Sequence, residues 1–164
     1  MDAIADTDIL STFSKINKLN LLKRLFPKSK IYFSSRSEIE LLKAKKLGYK
    51  FIEPVLAFKP IKLLLNESER LEFKKLSEIK KSLSLADVES LVLAKFRNLV
   101  ILTNDIKMQK EADKQSIFYF NLPMILRELW KQGILEKEGV SKLISQIEKE
   151  DNMVILDKET IFLE

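Results

Sequence analysis

Four acidic residues in this sequence have the type and spacing expected of a shared metal site. Asp6 follows a short apolar run, Asp105 follows the apolar run 99–102, and Asp87 lies in the first turn of a helical pattern. Because the sequence contains no histidine and no cysteine, a metal here would have oxygen ligands, which favours Mg²⁺, Mn²⁺ or Ca²⁺ over Zn²⁺. One chemistry open to such a site is metal-assisted hydrolysis at phosphorus, which requires no histidine.

Glu40 is the fourth acid. It lies on a helical stripe with Ala44 and Leu47, where a carboxylate is costly unless it is paired or bound to a metal. Ser35 and Glu38 have the spacing of a capping box, which gives Glu38 a structural role and leaves Glu40 as the better ligand.

The elements that carry these acids are predicted to be alternating strands and helices. Apolar residues recur at helical spacing in 85–96, and the unbroken apolar run 99–102 is typical of a strand covered on both faces. Short apolar runs at 3–5, 31–33 and 116–120 are also each followed by a helical pattern. This alternation predicts an α/β fold with a mostly parallel sheet, in which ligands bind beyond the carboxyl ends of the strands.

Each acid also has an alternative role within its own element. Asp6 and Asp105 could cap the helices that follow them, and Ser84 and Asp87 have capping-box spacing. All four acids lie in successive strand–helix units of the predicted fold. One shared site explains this placement better than four independent structural roles do. In such a site each pair of carboxylates at roughly 5 Å costs about 3 kcal/mol at an effective dielectric near 20. The cluster therefore requires protonation of some members or a bound cation.

The bulk composition sets the remaining limits. The 164 residues carry a net charge of +5, which suits an anionic partner. We expect a single domain over 1–150, followed by a tail over 151–164 that is a strand or a partner-binding extension. No apolar run reaches the roughly 18 residues that span a bilayer. The start of the chain is acidic rather than basic, unlike a signal peptide, so we expect a cytoplasmic protein.

Four motifs resemble those of the PIN-domain ribonucleases, in the same order along the chain. The similarity covers roughly residues 3–145 and implies a three-layer α/β/α sandwich around a mostly parallel sheet, as in small VapC-type proteins. The motifs are Asp6-Thr7-Asp8, Glu40-Leu41-Leu42-Lys43-Ala44, Leu85-Ala86-Asp87-Val88-Glu89 and Leu102-Thr103-Asn104-Asp105.

Carried over position by position, the resemblance implies a catalytic site that binds Mg²⁺ or Mn²⁺. The catalytic residues and metal ligands would be Asp6, Glu40, Asp87 and Asp105. The residues around them would be Thr7, Asp8, Glu89, Thr103 and Asn104.

The expected function is that of a metal-dependent endoribonuclease acting on RNA, with a single strand as the preferred substrate. Candidate phosphate contacts are Arg36, Lys107 and Lys110. The resemblance also implies a homodimer and a role as the toxin of a toxin–antitoxin pair, with a cognate antitoxin as partner. The alternative is a non-catalytic PIN-like module that binds nucleic acid or protein with a degenerate acid pocket. A site for a phosphorylated small molecule is disfavoured, because no Gly-rich strand-to-helix turn is present.

Overall fold

A parallel sheet of five strands forms the middle layer of the structure. The computed structural model describes residues 1–156 and 158–163, and within them the strand order is β3-β2-β1-β4-β5 with every neighbouring pair parallel. The strands are β1 (Ala3–Ala5), β2 (Ile31–Ser34), β3 (Ile61–Leu63), β4 (Val100–Leu102) and β5 (Tyr119–Phe120).

Helices cover both faces of the sheet. They are α1 (Thr7–Lys15), α2 (Leu19–Leu25), α3 (Ser35–Lys46), α4 (Ile52–Phe58), α5 (Glu67–Ile79), α6 (Leu85–Arg97), α7 (Ile106–Lys114), α8 (Leu122–Lys131), α9 (Lys137–Asp151) and α10 (Lys158–Ile161). One face of β1 packs with α1, α2, α4, α8 and α9, while Ile4 on its other face packs with α6 and α7. The predicted three-layer α/β/α fold with a parallel sheet is therefore confirmed.

The strands are short and completely buried at the centre of the sheet. β1 and β4 show no polar alternation, and Ala3, Ile4 and Ala5 are all fully buried. Parallel strands covered on both faces are expected to be apolar throughout. The residues that follow β1 and β4 are the first polar positions, so both strands deliver acids to the same edge of the sheet.

The segment between α3 and α5 contains two elements that the sequence analysis does not name. Residues 52–58 form α4, and β3 follows it. Pro54 occupies the first turn of α4. Backbone N–H groups in the first turn of a helix have no acceptor within the helix, so the N–H that proline lacks costs no hydrogen bond there. The cap of α3 also differs, because Ser34 rather than Ser35 caps it, and Glu38 pairs with Lys62 at 2.8 Å.

The described residues after position 150 fold back onto the core. The region after residue 150 was expected to be a strand or a partner-binding extension, and its described part contains the short helix α10 instead of a strand. Ile155 and Ile161 are buried in the main core, and Asp151 accepts hydrogen bonds from Thr12 and Lys15 of α1. In the ranges 1–156 and 158–163, no helix combines the length and apolar character needed to cross a membrane.

Candidate active site

The hydroxyl group of Thr103 joins Asp6 and Asp105 at the carboxyl edge of the sheet. Thr103 directly follows β4 and is fully buried. Its Oγ1 donates to Asp6 Oδ2 at 3.0 Å and accepts from the backbone N–H of Asp105 at 3.1 Å. The acids that follow β1 and β4 therefore lie on the same side of the molecule.

Asp6 and Asp105 are each the N-cap of the helix that follows. Asp6 Oδ1 accepts from the backbone N–H of Thr7 at 2.6 Å, and Asp105 Oδ1 accepts from that of Met108 at 2.8 Å. Both carboxylates are thereby stabilised by the positive end of a helix. Asp6 and Asp105 therefore cap their helices and also belong to the acid cluster, so the capping role considered in the sequence analysis does not exclude a shared site.

Asp87 lies at the third position of α6 and forms the predicted capping box with Ser84. Asp87 Oδ2 accepts from the backbone N–H of Ser84 at 2.8 Å, and Ser84 Oγ accepts from that of Asp87 at 3.1 Å. Burial raises the pKa of Asp87, the bonds from Ser84 oppose this, and the charge of Asp105 adds to the rise. The Asp87 carboxylate is therefore close enough to the other acids to interact with them.

Glu40 reaches the same group of acids from the middle of α3. Burial raises the pKa of Glu40, and the charges of Asp6 and Asp87 raise it further. The hydroxyl of Thr7 donates to Asp6 Oδ1 at 3.4 Å, and it also lowers the pKa of Glu40. Thr7 therefore lies between Glu40 and Asp6, as Thr103 lies between Asp6 and Asp105.

Asp6 and Asp8 show the electrostatic cost of collecting these carboxylates. Burial raises the pKa of Asp6 to about 6, with the charge of Asp87 as the next cause. Burial raises the pKa of Asp8 to about 8, and the charge of Asp6 contributes to that rise. Asp8 Oδ2 also accepts from the backbone N–H of Asn104 at 3.0 Å, which ties α1 to the start of α7.

The donor set suits a hard divalent cation. Among residues 1–156 and 158–163, no three acidic side chains are close enough together to hold a metal ion in this conformation. Asp87 and Asp105 are instead turned toward donors of their own helices. The ligands available are carboxylate oxygens with neighbouring hydroxyls, which Mg²⁺ and Mn²⁺ prefer. The residues fit such a cation if the two capping carboxylates rotate toward Asp6.

Glu89 lies apart from the other acids, although the resemblance implies a place around the site. Its Oε1 accepts from Ser35 Oγ and its Oε2 accepts from the backbone N–H of Arg36, both at 2.8 Å. The guanidinium of Arg36 packs over the ring of Phe73 at 4.8 Å from the centroid. The structure therefore gives Glu89 and Arg36 contacts within the fold, and the sequence carries no local signal of them.

Two lysines lie near the acid cluster. Lys107 lowers the pKa of Asp87, and Lys43 lowers the pKa of Glu40, although neither is the main influence on its partner. Lys43 lies about one turn beyond Glu40 on α3 and was not among the predicted phosphate contacts. Lys110, the other predicted lysine of this region, is exposed on α7. Lys107 and Lys43 are therefore the basic residues best placed to meet an anion at this edge.

Replacing Thr103 with valine is expected to loosen the site without changing its shape. Thr103→Val keeps the side-chain volume but removes the donor to Asp6 and leaves the N–H of Asp105 without its acceptor. Leaving a buried donor unpaired costs about 1–3 kcal/mol, which denaturant unfolding should detect. Thr103→Ser retains the hydroxyl and should lose less stability. Equal stability of the two variants would mean that the bridge does not contribute.

Comparison with known proteins agrees with this architecture. A family model described as a PIN domain matches residues 2–160. No curated protein sequence matches the chain. The structure resembles that of VapBC-1 from nontypeable Haemophilus influenzae, with a TM-score of 0.58 and 19% identity over 74% of this chain and 98% of that one.

A second solved structure has a similar fold. VapBC2 from Rickettsia felis, described as bound to a DNA fragment from their promoter, matches with a TM-score of 0.56 and 17% identity over 74% of this chain and 98% of that one. At 19% and 17% identity, these two similarities show a shared fold and no more. The family model, in contrast, matches the sequence itself over residues 2–160. The chain belongs to the PIN-domain family.

Proposed function

We propose that this protein is a metal-dependent endoribonuclease that hydrolyses phosphodiester bonds of RNA. The observation that carries the proposal is the acid cluster at the carboxyl edge of the sheet, in which Asp6, Asp87 and Glu40 have pKa values raised by burial and by the charges of neighbouring acids, Asp105 among them. Clustered carboxylates with perturbed pKa values are typical of functional sites. Membership of the PIN-domain family supports the same chemistry.

The proposed metal ligands are Asp6, Glu40, Asp87 and Asp105. A bound Mg²⁺ or Mn²⁺ would supply Lewis acidity, lower the pKa of a water nucleophile and neutralise the leaving oxygen. The hydroxyls of Thr7 and Thr103 both donate to Asp6 and hold its carboxylate in orientation. Asp87 and Asp105 would exchange their helix-capping hydrogen bonds for coordination.

A cleft beside the acids supports single-stranded RNA as the substrate. It has a volume of about 290 Å³ and is lined by Asp8 and Glu40 together with the apolar side chains of Leu41, Phe51 and Ile52. Of these three, Phe51 is only half-buried, and unpaired bases can stack on an aromatic ring, whereas paired bases are not available for such contacts. Lys107 is the proposed phosphate contact among the predicted basic residues, with Arg36 and Lys110 as weaker candidates.

The biological role that we propose is that of the toxin of a toxin–antitoxin pair in the cytoplasm. Two of the structural neighbours are described as VapBC structures, and this chain covers 98% of each matched chain. These neighbours support a cognate antitoxin as the proposed partner, and we also propose a second copy of this chain. Size-exclusion chromatography of the purified protein would test the homodimer directly.

A second candidate function is a PIN-like binding module without activity. It is supported by the observation that, in the part of the chain that the structure describes, no three acids lie close enough to hold an ion. In that case the pocket would receive a structural cation or an arginine of a partner. Binding of Mn²⁺ or RNA without turnover would favour this candidate.

Cleavage assays distinguish the two candidates. We expect mixed RNA to be cut with Mg²⁺ or Mn²⁺ and to remain intact with EDTA, and single-stranded RNA to be cut faster than duplex RNA. RNA affinity should also fall steeply with salt, because each neutralised phosphate releases a counterion. Cleavage that continues unchanged in EDTA would contradict the metal-dependent mechanism.

A further inference from the structure

Glu89 is a buried carboxylate that connects two of the helices carrying the acid cluster. It lies on α6, two residues after Asp87, and its side chain is only 3% exposed. Its two oxygens accept from the hydroxyl of Ser35 and the backbone N–H of Arg36, at the first two positions of α3. A carboxylate in this place is favoured by the positive end of α3 and satisfies a backbone donor that the helix itself leaves unpaired.

The position of α3 decides where Glu40 points. Glu40 is six residues into α3 from its Ser34 cap, so a rotation or shift of the helix start moves the carboxylate with it. In the described part of the chain, the side-chain hydrogen bonds that join α3 to α6 both end on Glu89. The ion pairs of α3 with Lys62 and Glu53 lie at the surface, where such pairs constrain geometry weakly.

We infer that Glu89 is a positioning residue that sets Glu40 relative to Asp87 for metal binding. The inference rests on the proposed function, since it assigns Glu89 a role in the metal site formed by those acids. Glu89 does not contact the cluster. It acts through the start of α3, in the way that groups hydrogen-bonded behind metal ligands fix ligand orientation in other proteins.

The test is the affinity for Mn²⁺, measured by titration calorimetry on protein freed of metal with EDTA. Glu89→Gln keeps one acceptor oxygen and nearly the same volume, and we expect it to weaken Mn²⁺ binding by about 10-fold. Ser35→Ala removes the hydrogen bond from the Ser35 hydroxyl to Glu89 and leaves the bond from the N–H of Arg36. This variant should therefore also weaken Mn²⁺ binding, but by less than Glu89→Gln does. If Glu89→Gln fails to fold, Ser35→Ala still tests the connection.

Glu69→Gln is the matched control for a loss of stability. Glu69 is also buried, at 1% exposure, and pairs with Arg97 at the opposite end of α6 from Asp87. We expect this variant to lower the melting temperature while leaving the affinity for Mn²⁺ unchanged. An equal loss of affinity in Glu69→Gln would show that the effect of Glu89 is general destabilisation and would overturn the inference.

A double-mutant cycle with Glu40→Gln tests whether Glu89 acts through Glu40. Adding Glu89→Gln to Glu40→Gln should change the Mn²⁺ affinity by less than about 2-fold, because the group being positioned is already lost. A full additional loss would overturn the inference. If the wild type binds Mn²⁺ and Glu89→Gln binds it equally well, only this inference fails. If the wild type binds no Mn²⁺, the proposed function fails with it.

Discussion

Asp6→Asn and Asp87→Asn are each expected to reduce RNA cleavage by roughly 10³-fold or more. Each removes one carboxylate that would bind the metal, and a loss of about 4 kcal/mol in transition-state stabilisation corresponds to that factor. In Asp6→Asn the amide oxygen could still accept from the N–H of Thr7, so the fold should persist. The measurement is the single-turnover rate on a labelled RNA with saturating Mn²⁺.

The control for these variants is Glu38→Gln. Glu38 lies on the same helix as Glu40 but pairs with Lys62 at the surface, away from the acid cluster. We expect its cleavage rate to match that of the wild type, while Glu40→Gln loses activity. Cleavage that survives in both Asp6→Asn and Asp87→Asn would remove the proposed site from these residues.

Asp8→Asn is expected to stabilise the metal-free protein at pH 8 and not at pH 4.5. Burial raises the pKa of Asp8 to about 8, so the folded state holds a proton that the unfolded state releases above about pH 4. The stability from this group is therefore present at low pH and declines as the pH rises toward 8. Removing the charge should restore about 2 kcal/mol or more at pH 8, as measured by urea unfolding in EDTA.

The same unfolding measurement on Asp8→Asn at pH 4.5 is the control for the result at pH 8. At pH 4.5 the amide should cost about 1 kcal/mol, because it replaces one of the two oxygens that accept from Asn104 and Ile9. The sign of the stability change should therefore reverse between the two pH values. An equal change at both would show that Asp8 is not held protonated in the folded protein. Burial raises the pKa of Asp6 to about 6. The folding stability that comes from protonated Asp6 should therefore be lost at a lower pH than the stability that comes from protonated Asp8.

Much of the fold follows from local patterns in the sequence. The strand runs, the Ser84–Asp87 capping box and the Asn121 cap of α8 depend on residues within a few positions of one another, and the structure contains all three. The resemblance of four motifs to PIN-domain proteins is confirmed by the family match over residues 2–160. The parallel arrangement then brings acids that are distant in sequence to one edge.

What the sequence could not provide are contacts set by packing between elements. The bond from Ser35 to Glu89 spans 54 residues, and neither residue has a neighbour that suggests the other. The cap of α3 was placed one residue too late, because Ser34 and Ser35 are both good N-cap residues. Helix α4 was missed because Pro54 interrupts its pattern, although a proline in the first turn is compatible with a helix.

The packing of α1 against α9 has a consequence for how the protein is made. Helix α1, which starts next to Asp6, packs against α9 and is held there by Asp151. A ribosome must therefore synthesise the chain past residue 151 before α1 has this packing partner, and folding of the early segments alone leaves that surface open. During translation, the helix that begins beside Asp6 therefore gains its α9 partner long after it has itself been synthesised.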